Sequence, residues 1–208
     1  MNLKENLMAK ALNKSRIQIS RFIMIAVFGI AFFTKALIPY EAGMHEAIEF
    51  AGYLLIAVCA LGRLYSTAFL GGHKNKNLIT YGPFSVVRNP LYFFSLLGIT
   101  GIALVSAHLL LIIFLPLAFV VIYHFLISRE EAFLTETFGA EYEAYTKSTP
   151  RLIPNLTLYN APDSIEVVPK YMNNAFRDAI WWFAAFPIFE LAETLQESGA
   201  LPTLFMVP

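Results

Sequence analysis

The chain has 208 residues, of which 57% are hydrophobic and only 14% charged. A soluble domain carries about 25% charged residues, so a soluble globular fold is excluded and the composition is that of a protein embedded in a bilayer. The formal net charge is zero, which removes the global field that would steer a nucleic acid and leaves charge to act through its placement. Cys59 is the one cysteine, inside an apolar run, so no intramolecular disulfide can form and the thiol is read as core or lipid-facing.

In chain order, the first apolar run of about 20 residues, the length one bilayer crossing needs, covers 17–38. A basic N-terminal stretch leads into it, but the run is longer than a signal-peptide core and no small-x-small cleavage site closes it, so it is expected to stay as a helix. A second span is predicted over 46–68. From Pro90 to Ser128 no Asp, Glu, Lys or Arg occurs, a stretch about twice what one crossing requires. It must fold back on itself, and "SAHL" at Ser106 to Leu109 is the expected turn, giving a tight hairpin of spans over 90–106 and 109–128.

Basic residues give the orientation, because cytoplasmic flanks collect Lys and Arg. Lys4, Lys10, Lys14 and Arg16 precede the first span; Lys74, Lys76 and Arg88 lie between the second and third; Arg129, Lys147 and Arg151 follow the fourth. The N-terminus and the loop carrying Arg88 are therefore expected in the cytoplasm. Beyond Pro154 a polar, proline-punctuated linker leads to "NNAFRDAIWWFAAFPIFELAETLQ", whose apolar part is too short to cross a bilayer alone. An interfacial or short re-entrant helix is expected there rather than a full fifth span. The expected fold is thus an all-α integral membrane protein with four transmembrane helices, two closing as a tight hairpin, a cytoplasmic segment at their ends and a C-terminal interfacial or short fifth helix. Its parts are an N-terminal two-helix region (1–70), a central region with the helical hairpin (71–154), and a linker with an amphipathic helix (155–208).

The polar residues fall at the ends of these spans. If the third helix starts near Arg88, then Arg88, Tyr92, Ser95 and Ile99 share one face. On the fourth, Tyr123 with Glu130 and His124 with Glu131 are each seven apart, so two polar stripes reach the same membrane surface. An arginine facing two carboxylates suits a zwitterionic ligand bearing an ammonium and a carboxylate. The plainer alternatives stand beside this: Arg88 snorkels to the headgroups, Tyr92 is an interfacial belt residue, and Glu130 and Glu131 are solvated acids past a span. His124 alone suits a packed helix residue, and His73 a solvated loop.

"GPFSVVRNPLY", followed one helical hairpin later by "EEAFLTETFGAEYEAYTKSTPRLIP", resembles the paired signatures of the isoprenylcysteine carboxyl methyltransferases and phospholipid N-methyltransferases. Asn89 stands where the first group usually has histidine, as in the phospholipid enzymes, and Phe84 replaces a common tyrosine. The "FGAEYEAY" tail resembles the first group, so the pattern is mixed and the methyl acceptor stays open among carboxylates, thiols and amines.

The resemblance implies an S-adenosylmethionine site at the cytoplasmic membrane surface, in a bacterial inner membrane or the endoplasmic reticulum. Lys76, Asn77, Leu78, Ile79 and Phe84 would border the cofactor; Asn89, Pro90 and Tyr92 would contact its amino-acid part; Glu130 would hold its ammonium or ribose. Arg88 would bind a carboxylate of cofactor or substrate, and His124 or Glu131 would take a proton if the acceptor were an amine. Methyl transfer from a sulfonium needs no metal, and the partners are a lipophilic or lipidated acceptor and membrane lipids. Two competing readings are an NADPH-dependent reductase of the sterol type, which shares R-x-P-x-Y, and a non-catalytic membrane interaction protein.

Overall fold

The computed structural model describes residues 29, 34–36, 43–72, 77–200 and 205–207. The expected first span, over 17–38, falls almost wholly outside them, as do His73, Lys74 and Lys76. What is described is helical apart from one parallel pair of three-residue strands, β1 (Thr34–Ala36) and β2 (Phe205–Val207), in register Thr34 with Phe205. The helices are α1 (Gly43–Leu70), the single turn α2 (Pro83–Val86), α3 (Pro90–Val105), α4 (Leu109–Phe138), α5 (Ala140–Ser148), α6 (Pro169–Phe183) and α7 (Ala185–Glu197), with a 3-10 turn at Leu156–Leu158.

Two of these, Gly43–Leu70 and Leu109–Phe138, are long and apolar enough to cross a membrane; α3 is shorter and equally apolar. The hairpin between α3 and α4 turns where the sequence predicts. Ser106 caps α3 and its hydroxyl donates to Ala103 O at 2.7 Å, Ala107 takes a left-handed φ of 49°, and the buried His108 precedes α4. At its other end, α3 starts on Pro90, which lacks the N–H that a first helical turn leaves unsatisfied. α4 runs ten residues past the expected end of its span, because the charged residues after Ser128 end the apolar run without breaking the helix. Gly139, at φ 52°, stops it, and α5 restarts at once in a new direction.

α1 and α3 pack at glycine contacts. A Cβ on Gly52 would lie 2.7 Å from Gly101 O, and one on Gly101 would lie 2.6 Å from Gly52 O, so each backbone rests on the other. Around this contact lies a core of Ile56, Ala103, Val105, Leu111, Leu115 and Phe189. The opposite face of α4, with Ile113, Phe114, Leu117, Val121 and Phe125, stays exposed and apolar, as a lipid-facing surface would be.

The C-terminal helices are not an isolated interfacial element. α6 starts with Tyr171 against Gly71, places Asp178 beside Arg63 and sets Trp182 against Gly98; after a break at Ala184, α7 brings Phe189 into the core. α6 runs antiparallel to α1, with Tyr171 near Gly71 and Asp178 near Arg63. Each apolar stretch is short in sequence because only part of each helix faces the bundle.

Gly101→Val should therefore destabilise the protein by about 1–3 kcal/mol or more, the cost of overpacking, read as a lower thermal midpoint of the detergent-solubilised protein. Gly43→Ala, where nothing lies within 4 Å of the added carbon, should be silent by the same measurement.

Candidate functional site

The site lies where the start of α3 meets the cytoplasm-facing end expected for α4. Its floor is made by backbone pairing between two distant segments: Arg88 N–H donates to Pro150 O at 2.8 Å and Asn155 N–H to Val86 O at 2.9 Å. Beneath them the buried Tyr145 donates its hydroxyl to Phe84 O at 2.6 Å. Gly82, at φ 61°, makes the bend before α2, and a Cβ there would strike the Phe69 ring at 2.4 Å. These contacts hold residues 82–89 as a fixed ledge from which Arg88, Asn89 and Tyr92 project.

All three meet α4. Arg88 Nη1 lies 3.5 Å from Glu131 Oε1, with side chains 15% and 17% exposed. Arg151 Nε donates to Glu131 Oε2 at 2.9 Å, and Asn89 Nδ2 lies 3.4 Å from Glu131 Oε1 while donating to Arg151 O at 3.0 Å. Adjacent residues on a helix point about 100° apart, so Glu130 faces elsewhere and accepts from Tyr92 OH at 2.8 Å. The Tyr92 ring sits 5.4 Å from Tyr123, which stacks on Phe119 at 3.8 Å. A shallow groove continues outward along Phe119, Val120, Ile127 and Leu152, with Tyr123, His124 and Arg151 on its polar side.

Electrostatics add two perturbed groups. Burial pushes the Tyr142 phenol from its ordinary value of 10 up to about 12, helped by the negative charge of Glu131 and opposed by Arg88, whose guanidinium lies close and hydrogen-bonds to it. Burial raises the Tyr145 phenol as well. Both stay protonated donors at neutral pH. Arg88 Nε is buried and has no hydrogen-bond acceptor among the described residues. An N–H in that state lacks the partner that buried donors ordinarily have.

Of the residues singled out in the sequence, Arg88, Asn89, Tyr92, Glu130, Glu131 and His124 come together, with Pro90 buried at the start of α3. Ile79 and Phe84 lie instead in a separate apolar cluster with Phe69, flanked by Tyr81 and Ile165. Leu78 is half-buried, Asn77 is exposed, and Lys76 lies outside the described residues. Ser95, expected on the face of Arg88 and Tyr92, turns the other way: its hydroxyl accepts from Arg63 Nη1 at 2.6 Å.

Three residues were missed as site or framework groups. Arg151 served only as a topology marker, Tyr142 only as part of a motif, and Arg63 not at all. Arg63 also approaches Asp178 at 3.6 Å and lies 5.9 Å from the Trp182 ring centre. It is the only basic residue inside the 46–68 span, and a lone cation within a span signals a specific partner. Among the described residues no three His, Cys, Asp or Glu side chains gather as a metal site would need.

The phospholipid methyltransferase family model matches residues 48–141, from α1 to the start of α5. Over 150 residues the chain is 31% identical to the cobalt-zinc-cadmium resistance protein CzcN of Cupriavidus metallidurans, covering 72% of this chain and 69% of that one. The chain belongs to the phospholipid methyltransferase family. That family lies within the superfamily of integral membrane methyltransferases that the paired signatures resemble, and its members are S-adenosylmethionine-dependent. The nickel-cobalt-cadmium resistance protein NccN of Alcaligenes xylosoxydans xylosoxydans is 27% identical over 197 residues, 95% of this chain and 92% of its own length. No solved structure matches.

The Tyr142 geometry has a measurable consequence. A phenol whose folded-state value is raised from 10 to about 12 contributes stability that is complete below about pH 10 and lost as pH rises through about 12. The thermal midpoint should fall over that window, and Tyr142→Phe should flatten the fall when both proteins are melted at a series of alkaline pH values.

Proposed function

We propose that this protein transfers a methyl group from S-adenosylmethionine to a lipophilic acceptor at the membrane surface. The observation that carries this is the convergence of Arg88, Asn89 and Tyr92 with Glu130 and Glu131 at one end of the α3–α4 hairpin. The cofactor supplies, when bound, an electrophilic methyl on a sulfonium that already carries its leaving group. The protein's part is then proximity, alignment and exclusion of water.

The residues fit such a ligand. Arg88 Nε, a buried donor lacking an acceptor among the described residues, suits a carboxylate of cofactor or acceptor. Glu130, which accepts from Tyr92, is the carboxylate that would hold an ammonium or a ribose hydroxyl. Asn89 and Pro90 would border the amino-acid part, whereas Ile79 and Phe84, buried in their own cluster, would support the ledge and not touch the ligand. The exposed groove along Phe119, Val120 and Ile127 would admit an apolar chain from the bilayer side. The acceptor is a carboxylate, thiol or amine on a lipid or lipidated molecule. By analogy with the relatives' names, membranes from cells exposed to cobalt or cadmium are the place to seek it.

We further read the chain as multi-pass, with the N-terminus and the Arg88 loop cytoplasmic. The first span, α1, α3 and the apolar part of α4 would cross, and α6–α7 would form a fifth, discontinuous crossing. Support for the fifth comes from the course of α6 along α1, from Tyr171 at Gly71 to Asp178 at Arg63, and from β2, which pairs with β1 at the far end of the predicted first span. With Cys59→Ser as background, a cysteine at Ala200 should be labelled by an impermeant reagent only from the face opposite to a cysteine at Asn155. Labelling of both from one face would overturn the crossing.

Calorimetry with S-adenosylhomocysteine on detergent-solubilised protein should give saturable binding. Glu130→Gln should weaken it by about 1–3 kcal/mol, the scale of a charge-assisted hydrogen bond. Arg88→Lys, which keeps the charge but loses the planar fork, should cost at least roughly tenfold, about 1.4 kcal/mol. Saturation by NADPH in place of S-adenosylhomocysteine would overturn the methyltransferase reading.

A further inference from the structure

Arg151 lies in the tail beyond α5, and its guanidinium is divided among three side chains of α4. Nε donates to Glu131 Oε2 at 2.9 Å, Nη2 donates to Ser128 Oγ at 2.7 Å, and Nη1 meets His124 Nδ1 at 3.2 Å. The third contact fixes the chemistry of the histidine. A guanidinium has N–H donors and no acceptor, so Nδ1 must be the acceptor and carries no proton. The imidazole is then neutral, and its one proton sits on Nε2.

We propose that Arg151 is a positioning residue: it holds His124 as the Nε2–H tautomer, presented as a hydrogen-bond donor, and orients the Glu131 carboxylate toward Arg88 and Asn89. Spacing on α4 makes this possible. His124, Ser128 and Glu131 fall at i, i+4 and i+7, one stripe of a helix, and the planar fork lies along that stripe. Lysine could not do the same, because a point charge with tetrahedral donors does not span three partners in one plane.

The consequence for methyl transfer rests on the function proposed above. While Arg151 occupies Nδ1, Nε2 cannot accept a proton without a tautomer change that would set two N–H groups against each other. His124 therefore donates to a ligand oxygen and does not serve as the base for an amine acceptor. This departs from the role the sequence resemblance gives it.

The test is nitrogen NMR of 15N-histidine-labelled protein in detergent micelles at about pH 8, where an ordinary imidazole is neutral. The chain has four histidines, and loss of one set of signals in His124→Gln assigns the relevant ring. Wild type should give a single tautomer, with a pyridine-type Nδ1 and a pyrrole-type Nε2. Arg151→Lys and Arg151→Gln should give averaged shifts of both tautomers while the helical circular dichroism is retained. An Nδ1–H or averaged pattern in wild type overturns the proposal with no variant needed, and so does an unchanged pattern in a folded variant. Failure of S-adenosylhomocysteine to bind in calorimetry would remove the methyl-transfer consequence alone, because the tautomer is read without any ligand.

Discussion

The carboxylate of Glu131 is where three segments far apart in the chain are joined. One is α4 itself, the ledge and cap before α3 supply Arg88 and Asn89, and the tail after α5 supplies Arg151. A mostly buried carboxylate is costly unless its lone pairs are taken, and here both oxygens have donors. The same neutralisation serves the arginines, which would otherwise be cations at the edge of an apolar hairpin. Removing the carboxylate would strand two guanidiniums at once, so the helix register that puts residue 131 opposite residue 88 also decides where Tyr92 and Glu130 meet.

Much of the second signature acts through this frame rather than by touching a ligand. Gly139 supplies the left-handed turn that separates α4 from α5. Tyr142 and Tyr145, three apart on α5, are both buried; one lies against Arg88 and the other bonds the carbonyl of Phe84. Their raised phenol values mark them as permanent donors under the ledge. A motif that in sequence serves only to mark a family resemblance is, in structure, the support that fixes the Arg88 segment in place.

The hairpin was legible because an uncharged run of that length has no other way to satisfy its backbone in a bilayer. The length of α4 was not, since hydropathy ends at the membrane surface whereas helix geometry ends only at Gly139. The C-terminal helices were underread for a related reason: α6 packs Trp182 and Asp178 onto the bundle with one side, so no long apolar run appears in sequence. Periodicity placed Ser95 with Arg88 and Tyr92, but these residues straddle two faces of α3, and the contact of Ser95 with Arg63 depends on which neighbour each face finds. The three-way contact of Arg151 joins residues 20 or more positions apart, and no local pattern carries it.

The two arginines that flank α3 show why function gathers on one side of that helix. Arg63 has Ser95, Asp178 and the Trp182 face, partners drawn from α3 and α6, and it binds the C-terminal half of the chain to α1. Arg88 has Glu131 and Tyr142, yet its buried Nε lacks an acceptor among the described residues. A buried donor in that condition costs about 1–3 kcal/mol, a cost that an incoming oxygen would offset on binding. Both cations sit near the end of a span, and snorkelling would account equally for either. The difference in how completely they are satisfied separates Arg63, a framework cation, from Arg88, which keeps a donor for the ligand proposed above.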